Sequence, residues 1–338
     1  MKKTFKIAHR VVGGDAPCLF IAEAGVAHFG DMGMARDLVD LAAEGNSDVF
    51  KIQIFDVDTL LSAEAEEWKD RLRPRNLTLD QVFELKEFVE SKGMLFMATA
   101  HDQSRLSWLE ELDLPAIKVG SGELGNHWFL KKLAKLGKPM IVSTGMYTEQ
   151  DVVELLEALE STGNDELALL HCVTSYPTPA GDVNIAAMDS LARVFSGPVG
   201  YSDHTEDHLA VLGAVARGAK IIEKHITILR DIPNAQDWKV SAGPEDLAQL
   251  VDDIRKMEIM IGSGVKKPAE CEAGGMSWAL KSVVAVRQLP AGHVLAEADI
   301  TTKRPAGGIP ADQMEKLLGR VTSRCFAKDE KIDLTGIE

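Results

Sequence analysis

Long apolar runs are missing from this 338-residue sequence. No segment reaches the roughly eighteen consecutive apolar residues that a membrane-spanning helix needs. The start of the chain, Met-Lys-Lys-Thr-Phe-Lys-Ile, also lacks the apolar stretch of a secretory signal. We therefore expect a cytoplasmic protein that does not bind a membrane.

Cysteine and basic residues are also sparse. The four cysteines are far apart and form no CxxC pair: Cys18, Cys172, Cys271 and Cys325. This spacing argues against a zinc knuckle and against a disulfide framework. The formal net charge of −15 argues against a nucleic-acid partner, because phosphate backbones are bound by clustered Lys and Arg. An anionic metabolite stays compatible with this charge, because a pocket responds to the few lysines that line it.

The sequence does contain a regular alternation of short apolar runs and amphipathic helical stretches. Eight runs predict strands at Leu19–Ala24, Val49–Phe55, Leu95–Thr99, Ala116–Val119, Met140–Ser143, Leu167–His171, Val199–Ser202 and Ile221–His225. Helices are predicted at Met34–Ala43, Leu79–Ser91, Trp128–Leu136, Glu149–Leu159, Leu209–Ala216 and Pro244–Ile261. Strict alternation of strand and helix indicates a parallel sheet with helical crossovers.

Eight such units within about 260 residues favour an α/β fold of the (β/α)8 TIM-barrel class. The alternative is a doubly wound open sheet, which normally has a Gly-rich phosphate-binding turn after its first strand. The turn at residues 23–30 reads Glu-Ala-Gly-Val-Ala-His-Phe-Gly and does not match such a turn.

A change in composition near Gly262-Ser263-Gly264 indicates a second, smaller domain. We predict a barrel at residues 1–264, a linker at 265–280 and a mostly β domain at 281–338. Short strands are predicted there at Ser282–Val286 and His293–Leu295. A domain of this size is marginal alone, so we expect it to pack on the barrel or on a partner subunit.

Two histidines end neighbouring predicted strands, His204 on strand seven and His225 on strand eight. A single strand histidine is more often a packed core residue, but this shared placement lets both imidazoles meet at the barrel mouth. Glu23 ends strand one, which closes against strand eight, and adds a carboxylate. Two imidazoles with carboxylate and water suit a divalent cation such as Mn²⁺, with Fe, Co or Zn as alternatives.

Two lysines also stand at strand ends, Lys51 on strand two and Lys118 on strand four. An inward lysine is costly unless an anion neutralises it. Nearby polar residues extend a cradle for phosphate and carboxylate: Gln53, Thr99, Ser121, Glu123, Ser143 and Ser202. Two other interpretations stay open, a buried structural Lys–Glu pair and the Schiff-base lysine of an aldolase.

The loop after strand six, with Ser175 and Tyr176, reads Thr-Ser-Tyr-Pro-Thr-Pro. Its prolines reduce the entropy lost when a loop orders over a ligand, so we predict a binding loop, with a merely rigid turn as the alternative. Cys172 is interpreted as a packing residue because it has no adjacent base. Asp237 lies in a loop after strand eight, where most aspartates are simply solvated.

With these motifs in place, the chain resembles the sialic acid synthase family, which includes legionaminic and pseudaminic acid synthases. These enzymes condense phosphoenolpyruvate with an N-acetylated sugar aldehyde to form nine-carbon 2-keto acids. The motifs run in order from Ile21: Ile-Ala-Glu-Ala-Gly, Lys-x-Gln, Lys-Val-Gly-Ser-Gly-Glu, Ser-Thr-Gly-Met, Leu-His-Cys, Tyr-Pro-Thr-Pro, Ser-Asp-His-Thr and Glu-Lys-His-Ile-Thr. The tail, with Leu-Pro-Ala-Gly-His-Val-Leu and Lys-Arg-Pro-Ala-Gly-Gly, is similar to the antifreeze-like (SAF) domain of these synthases.

The resemblance implies a carbon–carbon bond-forming transferase that makes a sialic-acid-type nonulosonic acid and phosphate. It implies that His204 and His225 bind a divalent metal, with Mn²⁺ as first choice and Mg²⁺ or Co²⁺ as alternatives. Glu23 and Asp237 are expected near that metal. The residues expected around phosphoenolpyruvate are Lys51, Gln53, Thr99, Lys118, Ser121, Ser143, Tyr176 and Ser202. The family forms a domain-swapped homodimer, in which the arginine that the small domain contributes to the partner's sugar site matches Arg304.

The mechanism implied by this resemblance cleaves a C–O bond of phosphoenolpyruvate. The metal polarises the aldehyde oxygen of an N-acetylmannosamine-like acceptor, and C3 of phosphoenolpyruvate attacks the aldehyde carbon. Water then adds at C2 with Glu23 as general base. Lys51 and Lys118 offset charge on the departing phosphate.

Several positions depart from the family pattern, and they gather on the sugar side. Ala27-His28 stands where the family has Asn-His, Ala98-Thr99-Ala100 followed by His101 replaces Ser-Thr-Pro, and Ala235-Gln236-Asp237 replaces Gly-Pro-Asp. Residues 62–78 have no recognisable match. We therefore predict the same reaction on an unusual acceptor, such as a legionaminic- or pseudaminic-type precursor.

Two competing functions stay open. A phosphoenolpyruvate–aldose phosphate synthase of the 3-deoxy-octulosonate phosphate type needs a further basic pocket, for which Arg71, Arg73 and Arg75 are candidates. Alternatively, the barrel is a non-catalytic sugar-binding protein, since fold does not fix function. Retention of both histidines, both lysines and Glu23 argues against the latter.

Overall fold

The computed structural model of the chain describes residues 1–232 and 237–338. Two of the residues compared with the family pattern, Ala235 and Gln236, lie outside this part. The described residues separate into two compact units, Met1–Gly262 and Ser263–Glu338. Among them, no helix combines the length and the apolar character needed to cross a membrane.

The first unit is a closed barrel of eight parallel strands. An antiparallel hairpin precedes it, made of β1 (Thr4–Ile7) and β2 (Arg10–Gly13). The barrel strands are β3 (Leu19–Gly25), β4 (Val49–Ile54), β5 (Leu95–Ala100), β6 (Ile117–Val119), β7 (Met140–Ser143), β8 (Leu167–Cys172), β9 (Val199–Asp203) and β10 (Ile221–His225). Each of the eight predicted strands is present, and β10 pairs with β3 to close the ring. The TIM-barrel prediction is therefore confirmed.

Helices connect the barrel strands. They are α1 (Met32–Glu44), α2 (Val57–Leu60), α3 (Glu66–Leu72), α4 (Leu79–Ser91), α5 (Leu106–Glu111), α6 (His127–Ala134), α7 (Glu149–Glu160), α8 (Ala187–Val194), α9 (Leu209–Ala216) and α10 (Leu247–Ile261). The six predicted helices are present, with ends that differ by a few residues. Thr78 and Thr148 begin α4 and α7 with capping boxes, in which side chain and backbone exchange hydrogen bonds. The prediction missed the short helices α2, α3, α5 and α8.

The strand register brings site residues to the carboxyl end of the barrel. His225 stands beside Glu23 where β10 meets β3, and Glu23 stands beside Lys51 where β3 meets β4. Farther round the ring, Thr99 of β5 stands beside Lys118 of β6. The expected closure of strand eight against strand one thus places a carboxylate next to a histidine.

The opposite end of the barrel is filled by apolar side chains. Phe5, Ile7 and Val12 of the N-terminal hairpin are buried there. They pack with inward-facing strand residues such as Ile21 and Leu170. A separate and larger apolar cluster lies between the strands and the surrounding helices.

A buried ion pair supports the loop that carries His204. The side chains of Lys224 and Asp203 have no exposed surface, and Lys224 Nζ lies 2.5 Å from Asp203 Oδ2. Lys224 also donates to the Thr205 carbonyl (2.7 Å), and Asp203 accepts from the Tyr201 hydroxyl (2.8 Å). These bonds tie the end of β9 to β10.

The second unit contains α11 (Ala273–Ala279) and an antiparallel pair, β11 (Ser282–Ala285) and β12 (Ile300–Lys303). The predicted linker at 265–280 clusters with this unit. The strand predicted at His293–Leu295 is wrong. Val294 makes only an isolated bridge to Val321, because a turn that is capped by Asp299 begins at Ala296.

Candidate active site

A polar cavity of about 160 Å³ lies at the carboxyl ends of the barrel strands. It is lined by most of the predicted site residues: Glu23, Lys51, Gln53, Thr99, Lys118, Ser121, Glu123, Ser143, Tyr176, Ser202, His204 and His225. The structure thus brings together residues that are spread over two hundred positions of sequence. This is the end of the barrel where TIM-barrel enzymes place their chemistry.

Lys51 is held by neighbouring strands on both sides. Its Nζ lies 2.7 Å from Glu23 Oε2 and donates to the Thr99 hydroxyl (3.0 Å). Gln53 donates to the other oxygen of Glu23 (3.0 Å). Burial acts to lower the pKa of Lys51, but attraction to Glu223 and Glu23 outweighs it and raises the pKa. Lys51 is therefore a fixed positive charge.

Lys118 stands two strands away and has a weaker set of partners. Its Nζ donates to the Ser143 hydroxyl (2.7 Å) and to the Val119 carbonyl (3.0 Å). Burial lowers its pKa; attraction to Glu223 opposes that shift, and repulsion by Lys51 adds to it. Within one cavity, the pKa of Lys51 is thus raised and the pKa of Lys118 is lowered.

Glu223 is a site residue that the sequence analysis missed. Its carboxylate lies between the lysines, with Oε2 3.6 Å from Lys51 Nζ and Oε1 3.5 Å from Lys118 Nζ. Ser202 donates to Oε1 (3.3 Å). Burial disfavours the ionised form, but attraction to Lys118 and Lys51 outweighs burial and lowers the pKa of Glu223. Its position two residues before His225, on the same strand face, was an available signal.

The two histidines face the same cavity, with ring centroids 5.6 Å apart. His204 Nδ1 lies 2.7 Å from the Val173 carbonyl, which can only accept, so Nδ1 carries the hydrogen. The lone pair of His204 is then on Nε2. Burial, helped by the charge of His225, lowers the pKa of His204 to about 4, so the ring is neutral near pH 7.

These two rings fit a divalent cation. A neutral imidazole whose second nitrogen is fixed by a carbonyl is the usual form of a histidine ligand. Within residues 1–232 and 237–338, no group of three or more His, Cys, Asp or Glu side chains is arranged to hold a metal ion. A cation bound by the two imidazoles would need its remaining ligands from water or substrate oxygens.

Tyr176 and Cys172 complete the wall beside the histidines. The Tyr176 ring lies 4.0 Å from the His204 ring, between centroids, and burial raises the pKa of its phenol. Burial raises the pKa of the Cys172 thiol to about 11, so the sulfur is not a thiolate near neutral pH. This agrees with the interpretation of Cys172 as a packing residue.

Two predicted site residues lie elsewhere in the described structure. Asp237 lines a smaller neighbouring cavity together with Phe29 and Arg75, and its charge contributes to the raised pKa of Tyr176. Arg304 belongs to the second unit, where its guanidinium lies 5.0 Å from the Trp278 ring centroid. Their roles stay predictions.

Comparison with known proteins gives relatives along almost the whole chain. The sequence is 37% identical to N,N'-diacetyllegionaminic acid synthase of Campylobacter jejuni over 93% of this chain and 98% of that protein. It is also 37% identical to an uncharacterised protein of Methanocaldococcus jannaschii over 98% of each. The solved N-acetylneuraminic acid synthetase of Leptospira borgpetersenii, in complex with citrate, has a TM-score of 0.76 and 31% identity, covering 82% of this chain and 96% of that one.

Two family models match the sequence. The model of the SAF domain matches residues 281–337, as the resemblance of the tail implied. The model of the NeuB family matches residues 38–266, which is more than half of the chain. With relatives that match at 37% identity over nearly their full lengths, these findings confirm the predicted family: the chain belongs to the NeuB family.

Proposed function

We propose that this NeuB-family transferase condenses phosphoenolpyruvate with an N-acylated sugar aldehyde and water. The products are a sialic-acid-type nonulosonic acid and inorganic phosphate. The observation that carries the proposal is the composition of one cavity, in which two buried lysines and a row of hydroxyls face two histidines. The names of the legionaminic and N-acetylneuraminic acid enzymes support the product class.

The lysine side of the cavity suits the anionic donor. Lys51 and Lys118 supply positive charge, while Thr99, Ser121, Ser143 and Ser202 supply hydroxyl donors that line the same cavity. Preorganised donors of this kind also stabilise the phosphate as negative charge builds on it. Glu223 holds both ammonium groups in place through its two oxygens.

The bond changes follow from this placement. C3 of phosphoenolpyruvate attacks the aldehyde carbon, and a new C–C bond forms as C2 becomes an oxocarbenium. A water molecule adds at C2 and gives its proton to Glu23, which stands beside both Lys51 and His225. Glu23 passes this proton to the former aldehyde oxygen, which becomes a hydroxyl. The new hydroxyl at C2 then loses its proton to the departing phosphate and becomes the ketone, as the bond between C2 and the bridging oxygen breaks and that oxygen leaves with the phosphate.

His204 and His225 would hold the divalent metal, with Mn²⁺ as our first choice. When bound, it supplies Lewis acidity to the aldehyde oxygen. Tyr176 packs on the His204 ring and restricts its rotation. The neutral tautomer that Val173 imposes keeps His204 ready to ligate without loss of a proton.

The acceptor proposed is an N-acylated hexose aldehyde of the legionaminic-precursor type. The 37% identity to a diacetyllegionaminic acid synthase supports this choice over an aldose phosphate. The competing 3-deoxy-octulosonate phosphate function needs free arginines, yet Arg73 makes two hydrogen bonds to Asp58 (2.9 and 3.2 Å). Lys69 shares the same carboxylate, so Arg73 is already engaged by a protein partner.

The reaction is tested by phosphate release from phosphoenolpyruvate in the presence of a panel of acylated hexosamines. We expect release with at least one N-acylated aldehyde and none without an acceptor. With ¹⁸O in the bridging position of phosphoenolpyruvate, the label should appear in the inorganic phosphate. Silence with every aldehyde, or label retained in the sugar product, contradicts the proposal.

Metal removal separates catalysis from simple sugar binding. EDTA should abolish turnover, and Mn²⁺ should restore it. A non-catalytic sugar-binding barrel would instead keep its sugar affinity after metal removal and would never release phosphate. Full turnover in EDTA would contradict the metal assignment.

We also propose that the enzyme works in the cytoplasm as a domain-swapped homodimer. The described cysteines are all unpaired, which suits a reducing compartment. In the dimer, Arg304 of each chain would contact the sugar in the partner's barrel, as the family resemblance implies.

A further inference from the structure

His101 lines the cavity but has no part in the proposed reaction as described above. It follows β5 directly, and its backbone N–H continues the sheet ladder by donating to the Ile54 carbonyl (3.1 Å). The side chain therefore keeps the alternation of the strand. It faces the barrel interior with Met97 and Thr99, which precede it by four and two residues.

Positive charge flanks His101 on both sides. In the barrel, β5 lies between β4, which carries Lys51, and β6, which carries Lys118. Burial is the largest cause that lowers the pKa of His101, to about 4; Lys51 and Lys118 act in the same direction, and Asp102 opposes them. The imidazole is therefore neutral near pH 7, with one N–H donor and one lone pair.

The His101 ring has no protein partner for these two nitrogens within the described ranges. The carboxylate of Asp102, the next residue in the chain, already accepts from the Asp56 amide (2.7 Å) and the Ser104 amide (2.8 Å). The ring also lies beside Gly120, where its Cε1 is 3.6 Å from the position that a Cβ would take. A partly accessible, unpaired donor thus faces a polar cavity.

His101 is not placed to join the histidine pair. In the closed strand order, β5 lies opposite β9, and β6 lies opposite β10. His101 therefore stands across the barrel mouth from His204 and His225. Its neighbours are the lysines, so this departure from the family pattern lies on the lysine side of the cavity and not on the sugar side that the sequence predicted. The ligand of His101 should therefore be the one that the lysines attract.

We propose that His101 is a further substrate-binding residue, whose imidazole N–H donates a hydrogen bond to an oxygen of the anionic donor. This inference rests on the proposed function, in which that donor is phosphoenolpyruvate. The carboxylates of Glu23 and Glu223 offset part of the positive charge that Lys51 and Lys118 present to an anion. An incoming anion therefore gains from a neutral donor that no carboxylate occupies.

The test compares the affinity for phosphoenolpyruvate of the wild type and of the His101→Phe variant, which keeps a ring but removes the donor. A lost hydrogen bond to a charged group should weaken binding about ten- to a hundredfold in calorimetry. The KM for phosphoenolpyruvate should rise in parallel, while the KM for the sugar stays the same. His101→Gln, which keeps an N–H, should stay within a few-fold of the wild type.

Controls separate this inference from the proposed function. His9→Phe changes an exposed histidine outside the cavity and should leave both KM values unchanged. If His101→Phe fails to fold, His101→Ala removes the donor without added volume and should show the same loss. If the wild type binds phosphoenolpyruvate and both donor-free variants bind it equally well, the inference is wrong and the proposed function stands. If the wild type neither binds nor consumes phosphoenolpyruvate, the proposed function itself fails.

Discussion

The carbonyl of Val173 decides which nitrogen of His204 is available. Because that carbonyl accepts the Nδ1 hydrogen, the free lone pair points from Nε2, and rotation of the ring would break a 2.7 Å hydrogen bond. His225 approaches the same space from the next strand. The orientation of the His204 ring, and the nitrogen that it offers to a cation, are thus fixed before any cation binds.

Replacement of either His204 or His225 should remove one of the two imidazole ligands proposed for the cation. We expect the wild type to bind Mn²⁺ with a stoichiometry near one per chain. His204→Asn and His225→Asn should each weaken binding at least about tenfold, since even outer-shell changes cost that much. The measurement is the free Mn²⁺ signal in electron paramagnetic resonance. His127→Asn, outside the cavity, should bind like the wild type; equal binding by all four proteins would refute the assignment.

Single residues also show where sequence reasoning succeeds. Strand-end position predicted Lys51, Lys118, His204 and His225 because the carboxyl ends of barrel strands converge. Glu223 was missed although it alternates with His225, because a lone glutamate in an apolar run carries no distinctive spacing. Which nitrogen of His204 is free could not be predicted, since it depends on a carbonyl thirty-one residues away.

Strands β9 and β10 depend on the buried pair of Lys224 and Asp203. Lys224→Met should leave the Asp203 carboxylate buried without its cation. Removal of one partner of a buried pair costs about 3–5 kcal/mol. We expect the free energy of unfolding in urea to fall by about that amount, and activity to fall as the His204 loop loosens.

An exposed pair provides the matched control for this change. Lys256 lies 3.2 Å from Asp253 on α10, with side chains 56% and 38% exposed. Surface pairs contribute roughly 0–1 kcal/mol, so Lys256→Met should be nearly neutral. Equal losses in the two variants would show that the buried pair has no special role.

The β11–β12 pair should respond to acid through Asp299. His293 Nε2 (2.7 Å), the Ala296 amide (3.0 Å) and Arg287 (2.5 Å) donate to its carboxylate and lower its pKa to about 2. A carboxyl whose pKa is lower in the folded state stabilises the fold above about pH 4 and loses that effect as the pH falls towards 2. Amide exchange in β11 and β12 should therefore accelerate over that range.

An Asp299→Asn variant tests whether the Asp299 carboxylate causes this acid response. Asp299→Asn should exchange faster than the wild type at pH 7 and should change less between pH 4 and pH 2. Asp312→Asn, at an exposed site in the same unit, should follow the wild type. An unchanged acid response in Asp299→Asn would assign the effect to another group.

At the scale of elements, alternation of apolar runs and amphipathic stretches was enough to predict every barrel strand. The strand predicted at His293–Leu295 failed because the Asp299 side chain caps the turn that follows, and one side chain decided against local strand propensity. The hairpin at residues 4–13 was not predicted, and its place at the amino end of the barrel follows from the packing of Phe5, Ile7 and Val12. A local hydrogen bond thus decided the first outcome, and tertiary packing decided the second.

The whole molecule is proposed to work as a dimer with shared sites. If Arg304 of the partner subunit contacts the sugar, a His204→Asn chain and an Arg304→Ala chain are each inactive alone. Mixed and re-associated in equal amounts, they form heterodimers with one complete site. Random pairing in a two-fold dimer then restores about a quarter of wild-type activity.

The assay is phosphate release after the two variants are unfolded and refolded together. Refolding each variant separately provides the baseline. Mixing His204→Asn with His225→Asn is the matched control, because both lesions lie in the barrel and no complete site forms. Absence of recovery in the first mixture, with heterodimers verified by mass, would place Arg304 in the site of its own chain or outside any site.

The N-terminal hairpin bears on where reactants enter the barrel. Phe5, Ile7 and Val12 close its amino end, so the cavity is reached from the carboxyl ends of the strands. The side chains proposed to bind the donor and the metal are all buried, with Lys51 and Lys118 2% exposed and His204 and His225 5% and 6% exposed. Both proposed substrates would therefore enter and leave by the same end of the barrel. A sugar bound nearer to that opening than phosphoenolpyruvate would block the release of phosphoenolpyruvate.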